Sequence, residues 1–170
     1  MPNWCVGMLK IRSDFKTIVE LLKNEIGLPM VTPYGIKEAE EGSILPTLEF
    51  TEKDDYFSIE IKTGKGYHVD GGLYLKGSRK MFTPSPLEIE KIRDEEIEVF
   101  CFRIKGAWDI DAAWIERVSK QYQVDIKIHG FERLQEFTRD IEYHKGEMIK
   151  NDEITYGSYE WECIDPSLGG

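Results

Sequence analysis

Apolar and polar side chains alternate with a period of two along much of the chain, and this pattern constrains the fold more than any other feature. A strand that is buried on one face requires that period, whereas an amphipathic helix repeats its apolar residues every three or four positions. The alternation predicts strands at 4–12, 47–50, 56–61, 73–75, 97–105, 124–128, 137–143 and 156–163. Turn residues at Asp54-Asp55, around Gly64-Lys65-Gly66 and at Lys145-Gly146 separate several of them,. We therefore expect a mostly antiparallel sheet.

Three stretches carry helix signals instead. Ser13 is expected to cap a helix that ends near Gly27 and Pro29,. Ser85-Pro86-Leu87-Glu88 has the form of a capping box, which predicts a short helix to about Glu95,. Asp109-Ile110-Asp111 precedes a third helical pattern that runs to residue 122,.

The order of these elements predicts one α+β domain over residues 1–170. A β-α unit at about 3–27 and a β-α-β unit with a closing hairpin at about 97–163 suggest a ferredoxin-like core, in which helices pack on one face of a mostly antiparallel sheet. Residues 28–96 are predicted to be an inserted β-meander. Its first part, 28–46, is rich in proline and glycine and predicts an exposed connection with one short helical turn,.

Two segments resemble a known family. The opening Met-Pro-Asn-Trp-Cys, residues 1–5, resembles the start that is characteristic of the YubB-like family of phage and plasmid proteins. Gly106-Ala107-Trp108, with a following helix that ends at 118–122 as Val-Ser-Lys-Gln-Tyr, is similar to that family's Ala-Trp segment, helix and terminal Ser-x-x-Tyr. The resemblance covers roughly half the chain and departs from the family at Val6-Gly7 and Ile110-Asp111. It implies a ferredoxin-like fold, carriage on a mobile element and no established activity.

Composition restricts the classes of partner. The chain has 170 residues, with 32 acidic and 22 basic side chains and a formal charge of -10, so free nucleic acid is disfavoured unless a local basic patch overcomes the global field,. No apolar run is long enough to span a membrane and no export signal opens the chain, which predicts a cytoplasmic protein without a membrane partner,. Cys5, Cys101 and Cys163 form no C-x-x-C pair and are predicted to be buried thiols,.

The first functional hypothesis is a noncatalytic accessory protein of a phage or other mobile element. It would bind a host macromolecule, such as a nucleic-acid-handling or defence protein, through an acidic surface. A solvated helical face is the alternative explanation for these charges. No catalytic residue, metal site or cofactor motif is assigned. The acidic surface comprises Glu88, Glu90, Asp94, Glu95, Glu96 and Glu98.

A small enzyme is the second hypothesis. Removal of Met1 would leave Pro2 with a free secondary amine that could act as a general base, as in tautomerases that begin with proline,. Asp109 and Asp111 could hold a divalent ion for phosphoester hydrolysis, although helix capping also explains them. His129 and His144 are predicted to face solvent and form no metal-ligand spacing with a cysteine,.

The third hypothesis is an RNA-binding module. A locally basic stretch rich in glycine and aromatic residues could hold an anion, although it has no phosphate-loop pattern and an ordinary hairpin with solvated lysines explains it as well. The strand pattern does not clearly provide the exposed aromatics and basic flanks that RNA binding requires, so this reading ranks last. The candidate anion-binding residues are Lys62, Lys65, Lys76, Arg79 and Lys80.

Overall fold

The computed structural model describes residues 3–29, 31–33, 45–63, 67–69, 72–92 and 96–155. Over these ranges the chain forms thirteen strands and two helices. In chain order they are β1 (Trp4–Ser13), α1 (Phe15–Glu25), β2 (Ile26–Gly27), β3 (Val31–Pro33), β4 (Thr47–Glu52), β5 (Tyr56–Lys62), β6 (Tyr67–Val69), β7 (Leu73–Leu75), β8 (Met81–Thr83), β9 (Leu87–Glu90), β10 (Glu98–Ala107), α2 (Ala112–Tyr122), β11 (Asp125–Glu132), β12 (Phe137–His144) and β13 (Glu147–Thr155).

Eight strands form one large antiparallel sheet in the order β13-β12-β11-β1-β10-β8-β7-β2. β1 lies at its centre and pairs along most of its length with β10 on one side and β11 on the other. Leu9 of β1 lies opposite Phe102 and Ile128, and all three side chains are buried. Because alternate residues point to opposite faces, the same register leaves the intervening polar side chains on the other face.

Both helices begin at an aspartate cap. Asp14 accepts a hydrogen bond from the Thr17 amide at 2.8 Å, so the predicted cap at Ser13 is displaced by one residue and Ser13 belongs to β1. Asp111 accepts from the Trp114 amide at 3.2 Å, which confirms the predicted start of α2. Each cap satisfies one amide that the first helical turn leaves without a partner.

A buried ionic contact joins the two helices. Glu25 ends α1 and is almost fully buried. Its two carboxylate oxygens accept from the Arg117 guanidinium of α2 at 3.1 and 2.7 Å, and Oε1 also accepts from the Tyr122 hydroxyl at 3.1 Å. The charge is compensated where it leaves water, as burial of a carboxylate requires.

Residues 85–92, the described part of the predicted helix, are not helical. Leu87–Glu90 is strand β9, which pairs with β5 and joins β4 in a three-stranded sheet. The Ser85 hydroxyl accepts from the amide of Ile61 in β5 at 3.0 Å instead of capping a helix. Leu87 and Ile89 are buried, which shows that period-two burial against β5 overrides the local capping pattern,.

The predicted ferredoxin-like α+β core is wrong. The described chain is dominated by strands, and its two helices have only 11 residues each. The segment 28–96 is not an insertion beside a complete core, because its strands β7 and β8 belong to the large sheet, where they lie between β10 and β2. The remaining middle strands form the three-stranded sheet β4-β5-β9 and the two-stranded sheet β3-β6.

Two of the three predicted turns are confirmed. Asp54-Asp55 joins β4 to β5 and Lys145-Gly146 joins β12 to β13, as predicted. The second strand of the closing hairpin is residues 147–155, and a bulge interrupts its register with β12 between Glu142 and Tyr143. The predicted strand at 156–163, the turn at 64–66 and most of the connection at 28–46 lie outside the described residues.

Candidate functional site

The face of the large sheet opposite the buried one carries a concentration of cations. We call it the open face. On β1 and β10 its positions are exposed or half-buried. They are occupied by Trp4, Val6, Met8, Lys10 and Arg12 on β1 and by Val99, Cys101, Arg103 and Lys105 on β10.

Four of these side chains form what we call the basic strip: Lys10, Arg12, Arg103 and Lys105. The register places Lys10 opposite Cys101, and Arg103 and Lys105 follow at the next two open positions of β10. Neighbouring strands lie about 5 Å apart, so the four side chains share one surface. No carboxylate occupies an open-face position of β1 or β10.

The cations of the basic strip differ in how far they are neutralised. Arg12 donates through Nε to Asp125 Oδ2 at 2.9 Å. Lys10 and Arg103 form no ion pair with any residue in the described ranges. The Lys105 ammonium lies 4.9 Å from the centre of the Trp4 ring, a contact that leaves its charge uncompensated,. Three positive charges of the strip are therefore available to an anion.

An aromatic cluster lies at one end of the strip. Phe82 of β8 pairs in register with Lys105, and its ring centre is 5.9 Å from Trp4 and 5.7 Å from Tyr74. All three rings are half-buried, so each presents part of its surface. The Tyr74 hydroxyl donates to the Ser78 carbonyl at 2.7 Å, which fixes that ring. We call Trp4, Tyr74 and Phe82 the aromatic cluster.

On the β11, β12 and β13 side of the open face, the lysine charges are neutralised by carboxylates. On β11 and β12, Lys127 pairs with Glu142 at 3.0 Å, and the same Glu142 contacts His144 at 3.0 Å. Lys150 of β13 pairs with Asp140. Carboxylates thus border the basic strip on the β11 side and limit its width.

The predicted acidic residues do not share one helix. Glu88 and Glu90 are exposed on β9, and Glu88 Oε1 accepts from the Tyr56 hydroxyl at 2.8 Å. Glu96 is exposed, and Glu98 Oε2 accepts from the Ile92 amide at 3.1 Å. Asp94 and Glu95 lie outside the described residues.

The three-stranded sheet nevertheless has an acidic outer face. The register places Glu49 opposite Glu60 on the same side as Glu88 and Glu90. The opposite side is apolar, with the buried side chains of Phe57, Ile59, Leu87 and Ile89. Of the six residues in the predicted acidic surface, Glu88 and Glu90 lie on this face, and they belong to a strand instead of the predicted helix.

The predicted anion-binding lysines do not converge. Lys62 lies on β5 and pairs with Glu49 at 2.7 Å, so its charge is already compensated. Lys76, Arg79 and Lys80 lie in the connection between β7 and β8. These two strands belong to the large sheet, whereas β5 belongs to the three-stranded sheet. Lys65 lies outside the described residues.

Asp109 and Asp111 have structural partners. Both oxygens of Asp111 accept from backbone amides, Oδ1 from Trp114 at 3.2 Å and Oδ2 from Arg79 at 2.8 Å. Asp109 accepts from the Ile110 amide at 2.6 Å, and its Oδ1 lies 3.2 Å from Arg139 Nε. Burial raises the pKa of Asp109 although these two groups oppose the shift,. Within the described ranges no three His, Cys, Asp or Glu side chains lie together as metal ligands would.

The remaining predicted residues are dispersed. His129 is exposed on β11 and His144 is half-buried on β12. Pro2 lies outside the described residues. Cys5 is buried, and burial raises the pKa of its thiol from 9.0 to about 12. Cys101 is exposed on the open face, so its prediction as a buried thiol is wrong.

A groove of about 630 Å³ lies between α1 and the β4-β5 turn. Its charged lining is balanced, and Lys23 is bound to Glu52 across it. Three lysines alternate there with three carboxylates, so the groove favours neither an anion nor a cation. The charged residues are Lys16, Lys23, Lys53, Glu20, Glu52 and Asp54.

Sequence reasoning missed the basic strip. Its signal was present as Lys10 and Arg12 on one predicted strand and Arg103 and Lys105 on another, each pair at period two. Nothing local indicates that these two strands are neighbours, because 93 residues separate Leu9 from its cross-strand partner Phe102. Only the register brings the pairs together.

Comparisons of this chain with protein-family models, with curated proteins and with solved structures find no match. The similarity of residues 1–5 and 106–122 to the YubB-like family therefore stays a prediction. No helix in the described part of the chain combines the length and the apolar character that crossing a membrane requires.

Proposed function

We propose that this protein is a noncatalytic nucleic-acid-binding protein that holds a phosphodiester backbone on the basic strip. One observation carries the proposal: Lys10, Arg103 and Lys105 share a solvent-facing surface, have no ion pair in the described chain, and have no carboxylate at any open-face position of β1 or β10. Phosphate contacts of this kind supply most of the affinity of proteins that bind nucleic acid without reading its sequence.

The net charge of -10 suggests that the protein repels nucleic acid, but the repulsion at the basic strip is weaker than this total implies. At physiological ionic strength the Debye length is about 8 Å, so a bound phosphate responds mainly to charges in its immediate surroundings. Those surroundings are positive on β1 and β10, whereas one group of acidic side chains lies on a different sheet, at Glu49, Glu60 and Glu88. The net charge is therefore a sum over surfaces of opposite charge.

The decisive test is fluorescence anisotropy with short labelled oligonucleotides of mixed sequence. Three phosphate contacts at about 0.7 each predict a slope of log K against log salt of about -2, or a loss of about twentyfold in affinity between about 50 and about 200 mM salt. Arg103→Glu should abolish measurable binding. Lys62→Glu makes the same change in charge on the other sheet and should leave the affinity near that of the wild type. Equal effects of the two variants, or no binding by the wild type at low salt, would refute the proposal.

A chemical footprint locates the ligand independently. Cys101 is exposed and lies opposite Lys10 in the strip. In a Cys163→Ser background, a bound oligonucleotide should slow alkylation of Cys101 at least several-fold. Unchanged alkylation at a saturating oligonucleotide concentration would place the ligand elsewhere and contradict the assignment to this face.

A second candidate function uses the acidic outer face of the three-stranded sheet as its binding site. Glu49, Glu60, Glu88 and Glu90 form a negative outer face on the three-stranded sheet, which supports docking of a host protein with a basic groove,. A salt-sensitive partner retained from a host lysate by the wild type but not by a Glu88→Lys/Glu90→Lys variant would favour it. Retention by both proteins would count against it.

A further inference from the structure

We infer that the nucleic acid is single-stranded and that the aromatic cluster receives one of its unstacked bases. The inference rests on the proposed function and adds the class of ligand. Trp4, Tyr74 and Phe82 are not needed to explain phosphate binding, yet they adjoin the basic strip on the same face of the sheet.

Lys105 connects the two parts of the site. Its ammonium lies 4.9 Å from the Trp4 ring centre, and its backbone pairs with Phe82. A phosphate held by Lys105 would therefore place the attached base within reach of the cluster. Successive open positions along a strand are about 7 Å apart, which is comparable with the separation of adjacent phosphates in an extended single strand. Arg103 and Lys105 occupy two such successive positions.

The geometry of the cluster suits stacking. The Trp4 and Phe82 rings meet edge to face at 77°, and Tyr74 is tilted by 50° from Phe82, so the rings brace one another and neither pair is stacked face to face. The hydrogen bond from Tyr74 to Ser78 adds a fixed support. A base that stacks on such a platform loses little to reorganisation of the protein, and stacking accepts any base because each one has an aromatic face.

A duplex fits this face less well. β12 lies three strands from β10 in the sheet, about 14 Å away, where the second backbone of a duplex on the strip would approach,. In that region Lys127 and Lys150 are already paired with Glu142 and Asp140, so neither lysine is free to bind its phosphates. A duplex also keeps its bases stacked on one another, so the aromatic cluster would have no base to receive.

The test compares Phe82→Ala with Phe50→Ala. Phe50 is an exposed phenylalanine of the three-stranded sheet and serves as the matched control. Phe82→Ala should weaken binding of single-stranded RNA or DNA about 5- to 150-fold without changing the salt slope, whereas Phe50→Ala should match the wild type. Phe82→Tyr should restore most of the affinity, and thermal unfolding of each variant establishes that it folds.

Two further ligands separate stacking from charge. An abasic oligonucleotide keeps the phosphates but has no bases, so wild type and Phe82→Ala should bind it equally. A duplex of the same sequence should bind at least tenfold more weakly than the single strand. If Phe82→Ala binds the single strand like the wild type while Arg103→Glu does not bind, the inference fails and the proposed function stands. If the wild type binds no oligonucleotide, the proposed function itself fails.

Discussion

The contact between Glu25 and Arg117 allows a quantitative prediction about stability. The Glu25 side chain is only 7% exposed, whereas the Arg117 side chain is 43% exposed. Arg117→Met keeps a long apolar stem but removes both guanidinium hydrogen bonds to Glu25, along with those to Gln121 and the Lys76 carbonyl. It leaves the carboxylate with the Tyr122 hydroxyl as its remaining partner. Breaking a fully buried pair costs about 3–5 kcal/mol, and the partial exposure of Arg117 reduces this to about 2 kcal/mol. For a chain of this size we expect a fall in Tm of about 4–8 °C.

Urea denaturation followed by circular dichroism measures the loss. Lys127→Met is the control, because it breaks an exposed pair with Glu142 that should contribute about 0.5 kcal/mol or less,. The double variant Glu25→Leu/Arg117→Met should be more stable than Arg117→Met alone, since it leaves no unpaired buried charge. A loss in Arg117→Met no greater than that in Lys127→Met would refute this account of how the helices are joined.

Three further predictions concern single residues. Asp111→Ala should lower the free energy of unfolding by about 1–2 kcal/mol, because two backbone amides lose their acceptor,. Asp111→Asn should lower it by less. A loss that appears only after removal of divalent ions would contradict the capping role. In a Cys163→Ser background, Cys101 should react with a thiol reagent at pH 8 while Cys5, with its pKa raised to about 12, reacts only after unfolding; equal rates would show that Cys5 is accessible,. Burial raises the folded-state pKa of Asp109 above 3.8, so its contribution to folding stability is fully present below that pH and is lost as pH rises through the raised pKa,. The stability of Asp109→Asn relative to wild type should therefore increase with pH. A difference independent of pH in urea titrations would contradict this explanation.

The long elements of the fold could be predicted from sequence. β1, β10, β11 and β12 and both helices fall where a period of two or the helical period is sustained over at least five residues,. The shorter strands at 47–50, 56–61 and 73–75 were also predicted, but β2, β3, β6, β8 and β9 were not, because local signals compete in short segments. Ser85-Pro86-Leu87-Glu88 satisfies a capping pattern, and only the neighbouring strand β5 makes Leu87–Glu90 a strand.

The arrangement of the strands was harder to predict than their positions. The middle of the chain resembled an insertion because nothing local reveals that β8 pairs with β10. The same limitation hid the basic strip, whose two halves become neighbours through the pairing of β1 with β10. A net charge read from composition also gives no information on whether cations and carboxylates occupy separate surfaces.

The bulge in the last hairpin affects how copies of the protein can meet. β13 is a nine-residue strand at the end of the large sheet as described, and a strand in that position can serve as a template for aggregation,. The shift in register after Glu142 interrupts its straight run, and Lys150 and Asp152 place charges along it. A second molecule that tried to extend the sheet would lose regular pairing within a few residues, so the bulge favours separate molecules over fibrous assemblies.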